Sequence, residues 1–248
     1  MIDNASISPI HIEPSKLTVV PLVARQRERI DRKRGYFFLK RIFDIVFSLL
    51  FIITILSWLM PILALIIKLT SNGPVFFLQK RIGFGGRSFT CYKLRTMVIN
   101  RESDTLQASE NDDRITGFGR FLRKSNIDEF PQFLNILKGD MSITGPRPHM
   151  YEDCKKFSAV LPGYKFRNMV KPGLTGLAQV KGYHGPTPTR SCILMRYHWD
   201  NYYIQHIGFI LDAKIILYTL IQRFTVMFQY LPEQLLPVNN TRKDVLPN

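Results

Sequence analysis

The stretch IFDIVFSLLFIITILSWLMPILALII, residues 42–67, constrains this chain more than any other. From Ile45 to Ile67 it holds no charged residue. A helix over all 26 residues would be about 39 Å long, enough for a hydrocarbon core of about 30 Å. A helix this long and apolar on every side is rare in the core of a chain this short, so a membrane is the expected environment. The flanks argue against a simple crossing. Residues 25–41 carry eight positive charges against two acids, and residues 68–95 carry six against none. Cytoplasmic flanks are normally the basic ones, so both ends ask for the same side. Pro61 lacks a backbone donor and clashes with the turn before it, which kinks a helix. A helix bent there enters the bilayer and returns to the same face, and this re-entrant reading is preferred to a straight span.

Composition narrows the partners. The chain has 34 Lys and Arg against 19 Asp and Glu, a formal charge of +15. That balance points to an anionic partner: nucleic acid, an acidic membrane surface or a phosphorylated substrate. No nucleic-acid-binding motif is present. Cys91, Cys154 and Cys192 are too few and too scattered for a metal site and read as reduced thiols in the core. His11, His149, His184, His198 and His206 have no paired metal spacing. The first 24 residues lack the apolar core of a signal peptide. The expected organisation is a flexible basic tail (1–39), a membrane helix (40–69), a globular domain (70–232) and a loose tail (233–248).

Within the globular part, VFFLQKRIG and RSFTCYKLRTM read as two strands joined by the glycines of GFGG. Residues 98–112 read as a loop. Helices are expected near 116–124, 129–138, 150–158, 189–203 and 207–230, the last amphipathic against the core or in the interface. KPGLTG (171–176) reads as a turn-rich loop, and LAQVKG (177–182) as a short strand.

The segment SNIDEFPQFLNILKGDMSITGPRP (125–148) sets Asp128 beside Glu129 just before a helical stretch. Pro131 belongs in a first turn and Gly139 just past a last one, so the helix is expected to begin near 127–129 with Asn126 or Asp128 as N-cap. Capping uses one acid well and leaves the other without a reason. A helix start also receives phosphate, and Arg120, Arg123, Lys124 and Arg147 lie close by, Arg147 held between prolines. Arginine suits phosphate through its planar fork. Carboxylates beside such arginines suggest phosphoryl chemistry: an ionised Asp attacking phosphorus, a neighbouring acid holding Mg²⁺.

With these motifs in order the sequence resembles the bacterial sugar transferase family, monotopic phosphoglycosyl transferases. The resemblance spans about 40–220 and rests on KRIFD (40–44), the broken apolar helix, GPVFFLQKRIG (73–83), YKLRTM (92–97), the 112–148 block, VKPGLTGLAQVKG (170–182) and DNYYIQHIGFILD (200–212). It implies a helix-rich α+β fold: a re-entrant membrane helix, a cytoplasmic globular catalytic domain and amphipathic interfacial helices. It implies that Asp128 attacks the sugar-linked phosphate of a UDP-sugar and releases UMP. Polyprenyl phosphate then takes the sugar phosphate from the enzyme. Glu129 is expected to assist with Mg²⁺, held together with Asp128, or with proton handling. Arg147 would bind substrate phosphate, with Arg123, Lys93 and Arg95 near nucleotide or lipid phosphate. Lys40 and Arg41 would meet the lipid headgroup, and Pro61 would mark the helix break. The family's usual Ser-Pro at the break is absent, since Ser57 precedes Trp58. The implied place is the cytoplasmic face of a bacterial inner membrane, among membrane lipids, at the first membrane step of exopolysaccharide, capsule or O-antigen synthesis. A homodimer is left open, and the chain looks like a minimal catalytic form. Two alternatives remain: a membrane-anchored basic binding module without catalysis, and a metal-dependent glycosyltransferase built on Asp112 and Asp113.

Overall fold

The structure is a computed structural model that describes residues 26–99, 112–183, 185 and 189–235, with backbone alone for 226–235. Of the expected tail over 1–39, residues 1–25 lie outside the described residues, whereas 26–31 are helical and 34–39 open the first long helix; of the expected loop over 98–112 and tail over 233–248, residues 100–111 and 236–248 lie outside them. Helix α1 spans Arg34–Phe51 and α2 spans Ser57–Thr70, joined by a π-helical turn at Ile52–Leu56. The hairpin β1 (Phe76–Ile82) and β2 (Ser88–Leu94) follows, then α3 (Gly117–Ser125), a 3-10 turn (Ile127–Glu129), α4 (Gln132–Lys138) and β3 (Ser142–Thr144). Next come α5 (Tyr151–Val160), a 3-10 segment (Tyr164–Met169), β4 (Gly173–Thr175), α6 (Leu177–Val180), α7 (Arg190–Gln205) and α8 (Phe209–Leu235). The fold is helix-rich α+β, as the sequence led one to expect.

Helix α1 has its polarity reversed. Lys40, Asp44 and Ser48, four residues apart and so on one face, are buried. Phe38, Leu39, Ile42, Phe43, Val46 and Leu50 on the other faces are exposed. In water this arrangement is unfavourable; it suits a helix with one face on protein and the rest in lipid. Lys40 and Asp44 are satisfied internally, whereas the buried Ser48 hydroxyl has no partner among the described residues. Lys40 pairs with Asp212 of α8 at 2.7 Å and donates to Thr144. Asp212 also accepts from Tyr36 at 2.5 Å and Tyr203 at 2.9 Å. Asp44 accepts from the backbone N–H of Ile143, in β3, at 3.0 Å.

The apolar helix docks on the globular domain along its length. Tyr36 and Phe37 join a core of Tyr203, Ile204, Ile207 and Ile215. Phe51 and Ile52 join Phe133, Ile136 and Met141. Leu63 and Ile67 join Leu94 and Leu122. The helix runs on from Arg34 to Thr70, and its irregularity, the π-helical turn, precedes Pro61 rather than falling on it. Proline leaves the carbonyl four residues back without its usual donor, and the deformation lies in the turn before that. There Thr54 and Ser57 donate to Leu50 O and Ile53 O, each at 2.6 Å, and such back-bonding bends helices.

Strands β1 and β2 pair antiparallel with Gln79 opposite Cys91. Their turn uses Gly85 at φ +65° and Gly86 at φ +78°, conformations that L side chains rarely adopt. Strands β3 and β4 pair parallel, Ser142 opposite Gly173 and Thr144 opposite Thr175. The expected loop at 171–176 therefore contains a strand, and the expected strand at 177–182 is the short helix α6. The first is only three residues long, below what alternation can reveal. The second follows a chain reversal that lets Val180 N–H reach Gly176 O at 3.1 Å.

Candidate active site

A cavity of about 520 Å³ opens beside the hairpin, and Asp128, Glu129, Lys93, Arg123 and Arg147 all line it. The local backbone explains how the acids reach it. Helix α3 ends at Asn126, with φ +56°, the one positive-φ residue other than glycine among the described residues. Asparagine tolerates this left-handed conformation better than most. The reversal leads into the 3-10 turn, where Glu129 N–H donates to Asn126 O at 3.2 Å and Phe130 N–H to Ile127 O at 3.1 Å. The expected capping does not occur. Helix α4 begins at Gln132, and neither Asn126 nor Asp128 makes a cap bond to it. The turn uses its own N–H groups, and Pro131 has none to offer, so the acids are left to side-chain cations.

The two acids differ sharply. Arg147 grips Glu129 with both ends of its fork, Nη2 to Oε1 at 2.5 Å and Nη1 to Oε2 at 3.1 Å. Lys93 Nζ adds a contact at 2.7 Å. Burial pushes the Glu129 carboxyl up, but Arg147 and Lys93 outweigh it and hold the group well below the usual carboxylate range. Asp128, 8% exposed, makes no side-chain hydrogen bond or ion pair among the described residues. Burial raises it to about 6, with Lys93 opposing and Glu129 reinforcing. It remains ionised at neutral pH, unshielded by any donor, and faces the cavity.

The rest of the fold fixes the cations. Gly145 N–H donates to Thr175 O at 2.9 Å, and Gly173 N–H to Pro146 O at 3.0 Å. A Cβ on Gly173 would strike Gly145 N, so the two glycine motifs cross where only glycine fits. Arg167, paired with Asp200 at 2.7 Å, donates to Arg147 O at 2.6 Å. Lys93 rides on β2, whose edge Asn135 pins by donating to Thr90 O at 2.7 Å and accepting from Tyr92 N–H at 3.0 Å. Arg123 donates to Thr96 Oγ1 at 2.9 Å.

Other expected residues lie elsewhere. Arg95 lines the cavity wall, yet its fork donates to Ser71 O at 2.8 Å and to Asn72 O, at the end of α2. Strand β2 stops at Leu94, one residue short of Arg95, so the alternation that would set Arg95 on the same face as Lys93 does not reach it. Lys40 and Arg41 line a separate cavity of about 430 Å³. Lys40 is taken by Asp212, and Arg41 donates to Ile136 O at 2.5 Å and Leu137 O at 2.7 Å. Both are engaged within the protein. Asp112, half of the alternative metal pair, is bound to Arg114 at 2.7 Å.

The sequence reading missed Arg81, His149 and Arg196, which also line the cavity. Arg81 donates to Pro148 O at 2.7 Å. Arg196 donates to Tyr183 O at 3.0 Å and Gly185 O at 2.6 Å, holding the loop after residue 182 against the cavity. His184 and residues 186–188 of that loop lie outside the described residues. Burial and four surrounding arginines hold His149 well below its usual pKa. These side chains converge through tertiary packing, and no spacing announces them.

Among the described residues no three His, Cys, Asp or Glu side chains gather as a metal cluster. The donor set fits Mg²⁺ only in part. Asp128 offers free hard oxygens, whereas both Glu129 oxygens are held by cations. Magnesium commonly uses one or two carboxylates and fills its shell with substrate phosphates and water. The site therefore suits an ion arriving on a diphosphate.

An α+β domain carrying a long apolar helix and a buried Asp-Glu pair among guanidinium groups defines a class, and the chain belongs to the bacterial sugar transferase family, whose pattern matches residues 35–226. Its relatives make the kinship specific. The chain is 41% identical over 186 residues to a UDP-glucose:undecaprenyl-phosphate glucose-1-phosphate transferase of Klebsiella pneumoniae, covering 75% of this chain and 40% of that one. It is 42% identical over 214 residues to a protein of the same description in Caulobacter vibrioides, covering 85% and 78%. It is 40% identical over 192 residues to an exopolysaccharide production protein of Rhizobium leguminosarum bv. phaseoli, covering 75% and 96%. The chain spans less than half the length of several relatives, 40 to 45% for three of them.

Proposed function

We propose that this chain moves a hexose 1-phosphate from a UDP-sugar to undecaprenyl phosphate through a covalent aspartyl intermediate, at the cytoplasmic face of a bacterial inner membrane. The observation that carries the reading is Asp128: buried, partnerless among the described residues, and directed at a cavity whose other acid is locked by Arg147 and Lys93. A carboxylate that accepts no hydrogen bond keeps its lone pairs for attack. Its oxygen bonds to the sugar-linked phosphorus as the bond to UMP breaks, and UMP leaves with the electron pair. An oxygen of the lipid phosphate then attacks the same phosphorus, and the Asp128 carboxylate departs. Glu129 keeps Arg147 and Lys93 beside the phosphates, where their charge offsets that of the transition state. Mg²⁺, held by Asp128 and the diphosphate with Glu129 beside it, would supply further charge neutralisation. A binding module without catalysis leaves the partnerless acid unexplained.

The membrane helix enters and leaves on one side. Docked residues recur along it at Tyr36, Lys40, Asp44, Ile52, Leu63 and Ile67, whereas a span takes about 20 residues clear of the aqueous domain. The reversed polarity of α1 and the exposed apolar residues of α8 support the same immersion.

The test is intact mass after incubation with a UDP-sugar and no lipid. UDP-glucose comes first, in keeping with the relatives' descriptions, then the N-acetylgalactosamine and galactose nucleotides. One sugar phosphate on the Asp128 peptide, with equimolar UMP, is expected. UMP release with no adduct would exclude the covalent route.

A further inference from the structure

Arg223 of α8 stands at the seam between the lipid-facing surface and the Asp-Glu turn. On a helix of 3.6 residues per turn it falls on the face of Asp212, Ile216 and Thr219, which packs on protein. Its neighbours Leu220, Ile221 and Phe224 are exposed and apolar. The helix is held in register by Thr219, which shares a hydrogen bond with Thr175 at 2.7 Å, and by Gln222, which donates to Val180 O at 2.8 Å. The Asn126 amide, turned with its oxygen toward α8, accepts from Arg223 Nη2 at 3.0 Å and Nε at 3.2 Å. Asn126 is the left-handed residue that launches the turn carrying Asp128. The charge of Arg223 is felt at Asp128, Glu129 and Arg147. Arg223 is half-buried, and among the described residues no carboxylate pairs with it.

A half-buried guanidinium answered only by a neutral amide lacks a counter-anion. The other site cations differ: Arg147 and Lys93 are committed to Glu129, and Arg123, which lines the cavity, donates to Thr96 Oγ1 in the segment after β2. We propose that Arg223 binds the phosphate monoester of the lipid acceptor as it comes from the membrane, and so serves the second half-reaction rather than the first. This rests on the two-step transfer proposed above. The lipid phosphate must reach Asp128 from the apolar surface, and Arg223 is the cation at that border. Its bond to Asn126 ties acceptor binding to the turn that holds the nucleophile.

The experiment separates the half-reactions in the full chain, reconstituted in nanodiscs. With UDP-sugar alone, Arg223→Gln should load the sugar phosphate to wild-type stoichiometry, which also shows that it folds. On adding undecaprenyl phosphate, discharge should slow by about 10- to 100-fold, the loss expected for one charge-assisted phosphate contact. The KM for the lipid should rise more than that for the UDP-sugar. Arg223→Lys should recover part of the discharge rate. Equal losses in loading and discharge would make Arg223 a support for the turn and overturn the proposal. Discharge at the wild-type rate would overturn it as well. If the wild-type chain transfers sugar phosphate without ever carrying it, the covalent reading fails instead, and the lipid KM of Arg223→Gln still decides the role of Arg223.

Discussion

Two of the clusters of buried charge among the described residues are built on opposite plans. Under α1, Lys40, Asp212, Tyr36, Tyr203 and Thr144 form a closed set, in which one cation meets one carboxylate and the hydroxyls fill its remaining sites. Around the 3-10 turn, Lys93, Arg123, Arg147 and Arg223 surround two acids, and only Glu129 is paired. The first cluster is complete without a ligand and fastens the apolar helix to β3 and α8. The second keeps an excess of positive charge and one free carboxylate turned toward a cavity. Buried charge left open in this way disfavours the fold unless something fills it, and functional sites are where such imbalance is found.

The sharpest way to break the comparison is at the free acid. Asp128→Asn should lower transfer on the order of a thousandfold or more, the scale seen when a nucleophile is removed. It should leave the thermal midpoint unchanged or raised, because a buried, partnerless charge is lost. A drop in midpoint would show that Asp128 has a structural partner. The same environment predicts a pH profile. With Asp128 raised to about 6 by burial, protonation on acidification removes the nucleophile. Adduct formation should fall about tenfold per pH unit below that value and level off above it; a profile flat to pH 5 would place the nucleophile elsewhere.

Glu129→Gln strikes activity and stability together. It strands Arg147 and Lys93, so a loss of about 3 kcal/mol in a denaturant titration is expected, along with transfer reduced roughly a hundredfold. Lys40→Met tests the closed cluster. It should destabilise by about 3 kcal/mol while the turnover of the folded fraction stays near that of the wild type. A specific loss of turnover on lipid titration would return Lys40 to the headgroup role that the sequence suggested. The smallest effect belongs to Tyr203→Phe, which removes one hydrogen bond to Asp212 and should lower stability by about 1 kcal/mol.

The sequence by itself determined what chain-local chemistry can announce. The apolar run between basic flanks, the two strands around GFGG, the glycine that ends α4 and the acids beside a proline-held arginine were all legible, because each depends on neighbours in sequence. Family kinship was legible for the same reason, in motifs kept in order. Tertiary structure alone decided how the pieces are used. It turned Asp128 from a helix cap into a free carboxylate, because a left-handed Asn126 and a 3-10 turn displaced the helix start to Gln132. It spent Lys40 and Arg95 inside the protein, and it drew Arg196 to the cavity and Arg223 to Asn126 beside the turn, from helices far along the chain. Charge can be counted in a sequence; which charge is left unpaired depends on packing between distant segments, and here that difference separates a fastening from the proposed reactive centre.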